Sequence, residues 1–125
     1  MSNKLVLSNL PHTWIFDVDG TLCVHNGYKV NGKDELLTGV KEVFDKIPQK
    51  DMIIVLTARH ECEKASLDAF MQEHGLRYDH VIFDVPFGER ILINDDKPSG
   101  LKMAHAINKK RDGALDIQIV IDKEL

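Results

Sequence analysis

The amino-acid sequence predicts a doubly wound α/β domain: a three-layer α/β/α sandwich around a mainly parallel central sheet. Three observations point there. Short apolar runs with strand-like composition alternate with stretches of helical spacing, the inner runs are apolar on both faces, and polar clusters stand at the runs' C-terminal ends.

The first strong run, Trp14 to Asp17, is rich in β-formers and ends abruptly in Asp17-Val18-Asp19-Gly20-Thr21, a strand entering a loop. A polar, glycine-bearing stretch over about 23–34 is too short to bury a core of its own and reads as a flap. Val40, Val43, Phe44 and Ile47 then recur at helical spacing, and Pro48 stops that helix. Met52 to Leu56 reads as a buried parallel strand ending at Thr57-Ala58-Arg59. A second helix is expected from Glu61 to His74, closed by Gly75, and a third strand from Val81 to Val85. Ile91-Leu92-Ile93 reads as a fourth strand ending in Asn94-Asp95-Asp96, Ser99 to Lys110 as a helix, and Ile117 to Ile121 as the last strand. Pro86 to Arg90 is too short for a helical crossover, which predicts an irregular or antiparallel third strand.

With 125 residues, the chain has room for one domain, expected to span 1–125. An apolar fraction of 43% and a charged fraction of 29% argue against disorder or a coiled coil, and a net charge of -4 offers no basic stripe for nucleic acid. There is no stretch apolar enough to span a bilayer and no signal-peptide pattern near the N-terminus, so a cytoplasmic location is expected. Cys23 and Cys62 are too few for a disulfide framework.

Ligands of open parallel sheets bind beyond the carboxyl ends of the strands. Asp17 and Asp19, Thr57, and Asp95 with Asp96 all fall there, so one crevice would collect four carboxylates and a hydroxyl. Carboxylates crowded in this way call for a cation, and hard oxygen donors suit Mg²⁺. Such an ion would also let a carboxylate approach an anionic phosphorus.

Asp17-Val18-Asp19-Gly20-Thr21-Leu22 after an apolar strand resembles the first motif of the haloacid dehalogenase superfamily. Leu56-Thr57-Ala58-Arg59 resembles its second motif and Ile93-Asn94-Asp95-Asp96 its acidic fourth motif, in the same order along the chain. The resemblance implies a small, capless phosphatase in which Asp17 attacks phosphorus and Asp19 serves as acid and base. It further implies that Asp17, the Asp19 carbonyl, Asp95 and Asp96 hold Mg²⁺, while Gly20, Thr57 and Ala58 contact phosphate. The family's usual third-motif lysine has no obvious counterpart. Arg90 is the first candidate to replace it and Lys97 the second, and Arg59 either touches phosphate or pairs with an acid. Without a folded cap the site should be open, the expected substrate is a small phosphorylated metabolite of the sugar phosphate kind, and a homo-oligomer could close the crevice.

Weaker signals remain. Cys23-x-His25 and His60-x-Cys62 could meet as a zinc site, though the spacing matches no finger pattern. His25, Tyr28 and Lys29 on the flap could meet a leaving group, and Lys109-Lys110-Arg111 reads as a solvated helix end. Two other functions compete: a receiver-like domain carrying phosphate on an Asp as a signal, and a catalytically silent binding module. The paired Asp residues and Gly20-Thr21 disfavour the receiver.

Overall fold

The computed structural model describes residues 3–125, leaving Met1 and Ser2 outside the described residues. It is a small α/β fold whose strands are all parallel and lie in two sheets. The elements run β1 (Asn3–Leu7), β2 (Thr13–Asp17), α1 (Gly27–Asn31), α2 (Val40–Lys46), β3 (Met52–Leu56), a 3-10 turn (Glu61–Glu63), α3 (Lys64–Glu73), β4 (His80–Ile82) and β5 (Ile117–Ile121). One sheet has the order β2-β3-β4, and the other pairs β1 with β5.

Strand alternation explains how the larger sheet is buried. Trp14 and Phe16 stand abreast of Ile53 and Val55, and this face holds the core with Val43, Phe44, Leu67, Phe70 and Met71 of α2 and α3. The rings of Phe16 and Phe44 lie 4.6 Å apart between centroids. Each such buried side chain stabilises the fold by roughly 1.5–3 kcal/mol. On the opposite face Ile15, Met52 and Ile82 are exposed.

Two polar devices set the register. Buried Asp51 accepts hydrogen bonds from the His12 N–H at 3.0 Å and from Trp14 Nε1 at 2.9 Å, which ties the entry of β2 to that of β3. Asp79 Oδ2 accepts the Ile53 N–H at 2.7 Å, fixing β4 against β3. As a result Asp17, Leu56 and Ile82 end their strands side by side.

Several expectations need correction. The single central sheet is divided in two, and β1, formed by a run too short to stand out, pairs with β5. Ile91-Leu92-Ile93 is not a strand and Ser99 to Lys110 is not a helix. The cause lies just after β4. Asp84 takes a left-handed φ of 58°, its N–H donates to the Arg59 carbonyl, and the Val85 N–H donates to the Thr57 carbonyl. These bonds draw the chain across the end of β3 instead of alongside β4, leaving Ile91 84% and Ile93 90% exposed. Within residues 99–110 Ile107 packs against the core and Leu101 and Lys109 are half-buried, but the rest is exposed, which is too little tertiary packing to stabilise a helix there. The third strand is short, as its irregular surroundings suggested, but it is parallel to β3.

Candidate functional site

The site begins with the turn that ends β2. Buried Val18 offers its carbonyl to the N–H groups of Thr21, Leu22 and Cys23, and Gly20 closes the turn at φ 85°, a conformation costly to residues with a Cβ. The Gly20 and Thr21 N–H groups donate to Cys23 and Val18 and are therefore spent on the turn.

Asp17 emerges from this turn with its side chain 35% exposed. Its Oδ2 accepts the Thr21 hydroxyl at 3.0 Å, and its Oδ1 faces Arg90 Nη1 at 3.0 Å. Arg90 reaches it because residues 84 and 85 steer the chain over the sheet's carboxyl end. A single Arg90 nitrogen meets Asp17, so the rest of the guanidinium remains available to an anion arriving beside the carboxylate.

Asp19 has quite different surroundings. Arg59 grips it with two parallel bonds, Nε to Oδ2 at 2.9 Å and Nη2 to Oδ1 at 2.8 Å. The other edge of the same guanidinium grips Asp34 at the end of the flap, with Nη1 to Oδ2 at 3.1 Å and Nη2 to Oδ1 at 2.7 Å. Tyr28 of α1 covers it, its ring centroid 4.1 Å from Arg59 Cζ. Arg59 thus takes the acid-pairing role of the two foreseen for it. Despite burial, which works against its charge, the bonds from both carboxylates hold the guanidinium well above its usual range. Burial and the two nearby carboxylates push the Cys23 thiol far up, so it is an unreactive packing group.

Asp19, Cys23 and Asp34 form a cluster with metal-ligand atoms within 4.8 Å of one another. Arg59 Nη2 lies 2.8, 3.6 and 2.7 Å from their respective atoms, so a guanidinium already fills the centre where a cation would sit. The acids expected to hold Mg²⁺ are not gathered in this way. Asp95 and Asp96 lie on the exposed stretch after Arg90, Asp96 pairs with Lys102 at 2.8 Å, and among the described residues neither joins Asp17 in a three-ligand cluster. In this arrangement the donor set does not fit an enclosed magnesium site. Nor do Cys23, His25, His60 and Cys62 assemble for zinc; Cys62 is exposed and His60 pairs with Asp84 at 2.6 Å.

The other candidates are placed as follows. Thr57 is buried at the end of β3, and its hydroxyl oxygen accepts the Arg59 N–H at 3.1 Å, a capping role; Ala58 lies between them. Lys97 is exposed, its backbone closing a turn through Gly100 and Leu101. The role of Lys109, read from the sequence only as part of a solvated helix end, was not foreseen. Lys109 donates to the carbonyls of Gly20, Lys110 and Gly113 at 3.0, 2.9 and 2.6 Å, fastening the chain's later part to the β2 turn. Burial lowers its ammonium below the ordinary value, against the opposing pull of Asp112 and Asp17. A basic run that looked like a helix end gave no hint of this, since its partners are backbone atoms distant in sequence.

Two carboxylates two residues apart therefore occupy unlike environments: Asp17 is open beside a guanidinium with free donors, and Asp19 is clamped. No protein-family model matches the chain, and no match is found among curated proteins or solved structures.

Proposed function

We propose that this chain is a cytosolic, magnesium-dependent phosphohydrolase of the haloacid dehalogenase type, a capless three-layer α/β/α domain acting on a small phosphate monoester such as a sugar phosphate. The observation that carries the reading is the half-open Asp17 carboxylate at the end of a parallel strand, with Arg90 Nη1 3.0 Å away. A nucleophile and a bidentate anion binder thereby share one exposed edge.

In the proposed reaction an Asp17 oxygen bonds to phosphorus while the bond from phosphorus to the ester oxygen breaks, and the leaving oxygen takes a proton from the Asp19 carboxyl. Water then attacks the aspartyl phosphate and gives a proton back to Asp19 as the bond to Asp17 breaks, releasing inorganic phosphate. Arg90 would hold the phosphoryl oxygens, with Thr57 and the Ala58 backbone as further contacts. Mg²⁺, when bound, would neutralise charge between phosphate and carboxylate; the proposed donors are Asp17, the Asp19 carbonyl, Asp95 and Asp96, and the last two would have to join the others from the exposed stretch after Arg90.

A catalytically silent binding module is the second reading. It is favoured by the occupation of both Asp17 oxygens, by Thr21 and Arg90, and by Asp95 and Asp96 belonging to no candidate metal cluster among the described residues. Phosphate release from p-nitrophenyl phosphate, with Mg²⁺ and with chelator, separates the two. The proposal expects steady release that chelator stops and Asp17→Asn abolishes; no release from the folded protein would leave the silent module.

A further inference from the structure

We infer that Asp34, at the end of the flap, is a positioning residue for Asp19, acting through Arg59. The inference deepens the phosphohydrolase reading and rests on it. Arg59 is buried, with its side chain 2% exposed, and that of Asp34 is only 4% exposed, whereas that of Asp19 retains 17% on the open side. A guanidinium is planar, and its donors leave in fixed directions, so two bidentate grips fix its plane and its rotation together. Asp34 takes one edge, Asp19 the other, and Tyr28 covers a face. The direction of the Asp19 carboxylate is therefore set by Asp34, further along the chain.

The flap consequently does more than cover the crevice. Both Tyr28 and Asp34 belong to it, and both touch Arg59. Any displacement of residues 28–34 would release the guanidinium and, with it, the orientation of Asp19. A carboxyl that delivers a proton to a leaving oxygen must sit within hydrogen-bond reach of it, and loss of that alignment is felt only by leaving groups that need the proton. Asp34 touches neither Asp17 nor the expected phosphoryl position.

The test compares kcat/KM for phenyl phosphate, whose leaving group is basic, with that for p-nitrophenyl phosphate, whose leaving group departs readily without a proton. Asp34→Asn should lose about tenfold or more on phenyl phosphate and less than about threefold on p-nitrophenyl phosphate. Asp34→Glu, which keeps the charge but displaces the grip, should show the same selectivity and serves if the Asn variant does not fold. Equal losses on both esters, or no loss on either, would overturn the positioning role and leave a merely structural ion pair. Failure of the phosphohydrolase reading looks different: the wild-type protein itself would release no phosphate from either ester, and the inference would fall with it.

Discussion

Asp17 and Asp19 show how a two-residue offset at a strand end creates two chemically distinct carboxylates. Strand alternation alone would put positions 17 and 19 on one side; the turn that starts at Val18 and closes at Gly20 ends the strand between them, leaving Asp17 at the open edge and Asp19 against Arg59. Removing Arg90 should therefore lower phosphatase turnover by at least about tenfold while leaving the melting temperature nearly unchanged, because an exposed ion pair adds little to stability. Unchanged turnover would remove Arg90 from the mechanism. At this scale the sequence marked Asp17 and Asp19 at a strand end, whereas Arg90 is a candidate for lying just before an expected fourth strand that does not form, and it meets Asp17 by way of the turn at residues 84 and 85 instead. The sequence did not expose Asp34 as the partner of Arg59, because an ion pair between positions 34 and 59 leaves no mark in local spacing.

Among the elements, the entry to the β2–β3 pair depends on one buried acid. Burial raises the Asp51 carboxyl, but hydrogen bonds from Trp14 and His12 outweigh it and hold the group below its ordinary value. A folded value below the unfolded one, near 4, means that this stabilisation is present above about pH 4 and lost as pH falls further. Thermal melts across that window should show a steeper acid loss in the wild-type protein than in Asp51→Asn, which should already be weakened by about 1–3 kcal/mol at neutral pH. Equal slopes would show that Asp51 does not link protonation to folding. Gly39 is a second element-level test: at φ 89° an added Cβ would come within 2.0 Å of the Leu115 carbonyl oxygen. Gly39→Ala should cost about 2 kcal/mol or more by denaturant melts, and a cost near zero would contradict the close approach of the two segments. Elements with partners nearby were legible: β2, α2, β3, α3 and β5 all lie where periodicity and turn residues place them. Residues 91–93 and 99–110 were not, because periodicity tells which face a segment would bury but not how much surface is there to receive it.

For the molecule as a whole, the parallel β2-β3-β4 sheet is well covered on one face only. Ile15, Met52 and Ile82 are exposed on the other, and Phe87, Ile91 and Ile93 are exposed on the stretch that crosses the strand ends. Such an apolar surface should bind a hydrophobic dye in the folded state. Substituting Ile91 or Ile93 by Asp should change stability by no more than about 0.5 kcal/mol, as expected of surface positions; a loss of several kcal/mol would show that the run is buried in solution. Among the described residues no helix is long and apolar enough to cross a membrane.

The chemistry proposed for this architecture turns on covalent capture of phosphorus by one side chain. The most direct measurement is mass spectrometry of the protein quenched in acid during turnover of p-nitrophenyl phosphate, with the peptide containing Asp17 isolated. A phosphoryl group on Asp17 that appears during turnover, decays once substrate is exhausted and is absent from Asp17→Asn is the predicted result. Sustained phosphate release with no phosphoryl group on that peptide, or with undiminished release from Asp17→Asn, would contradict it.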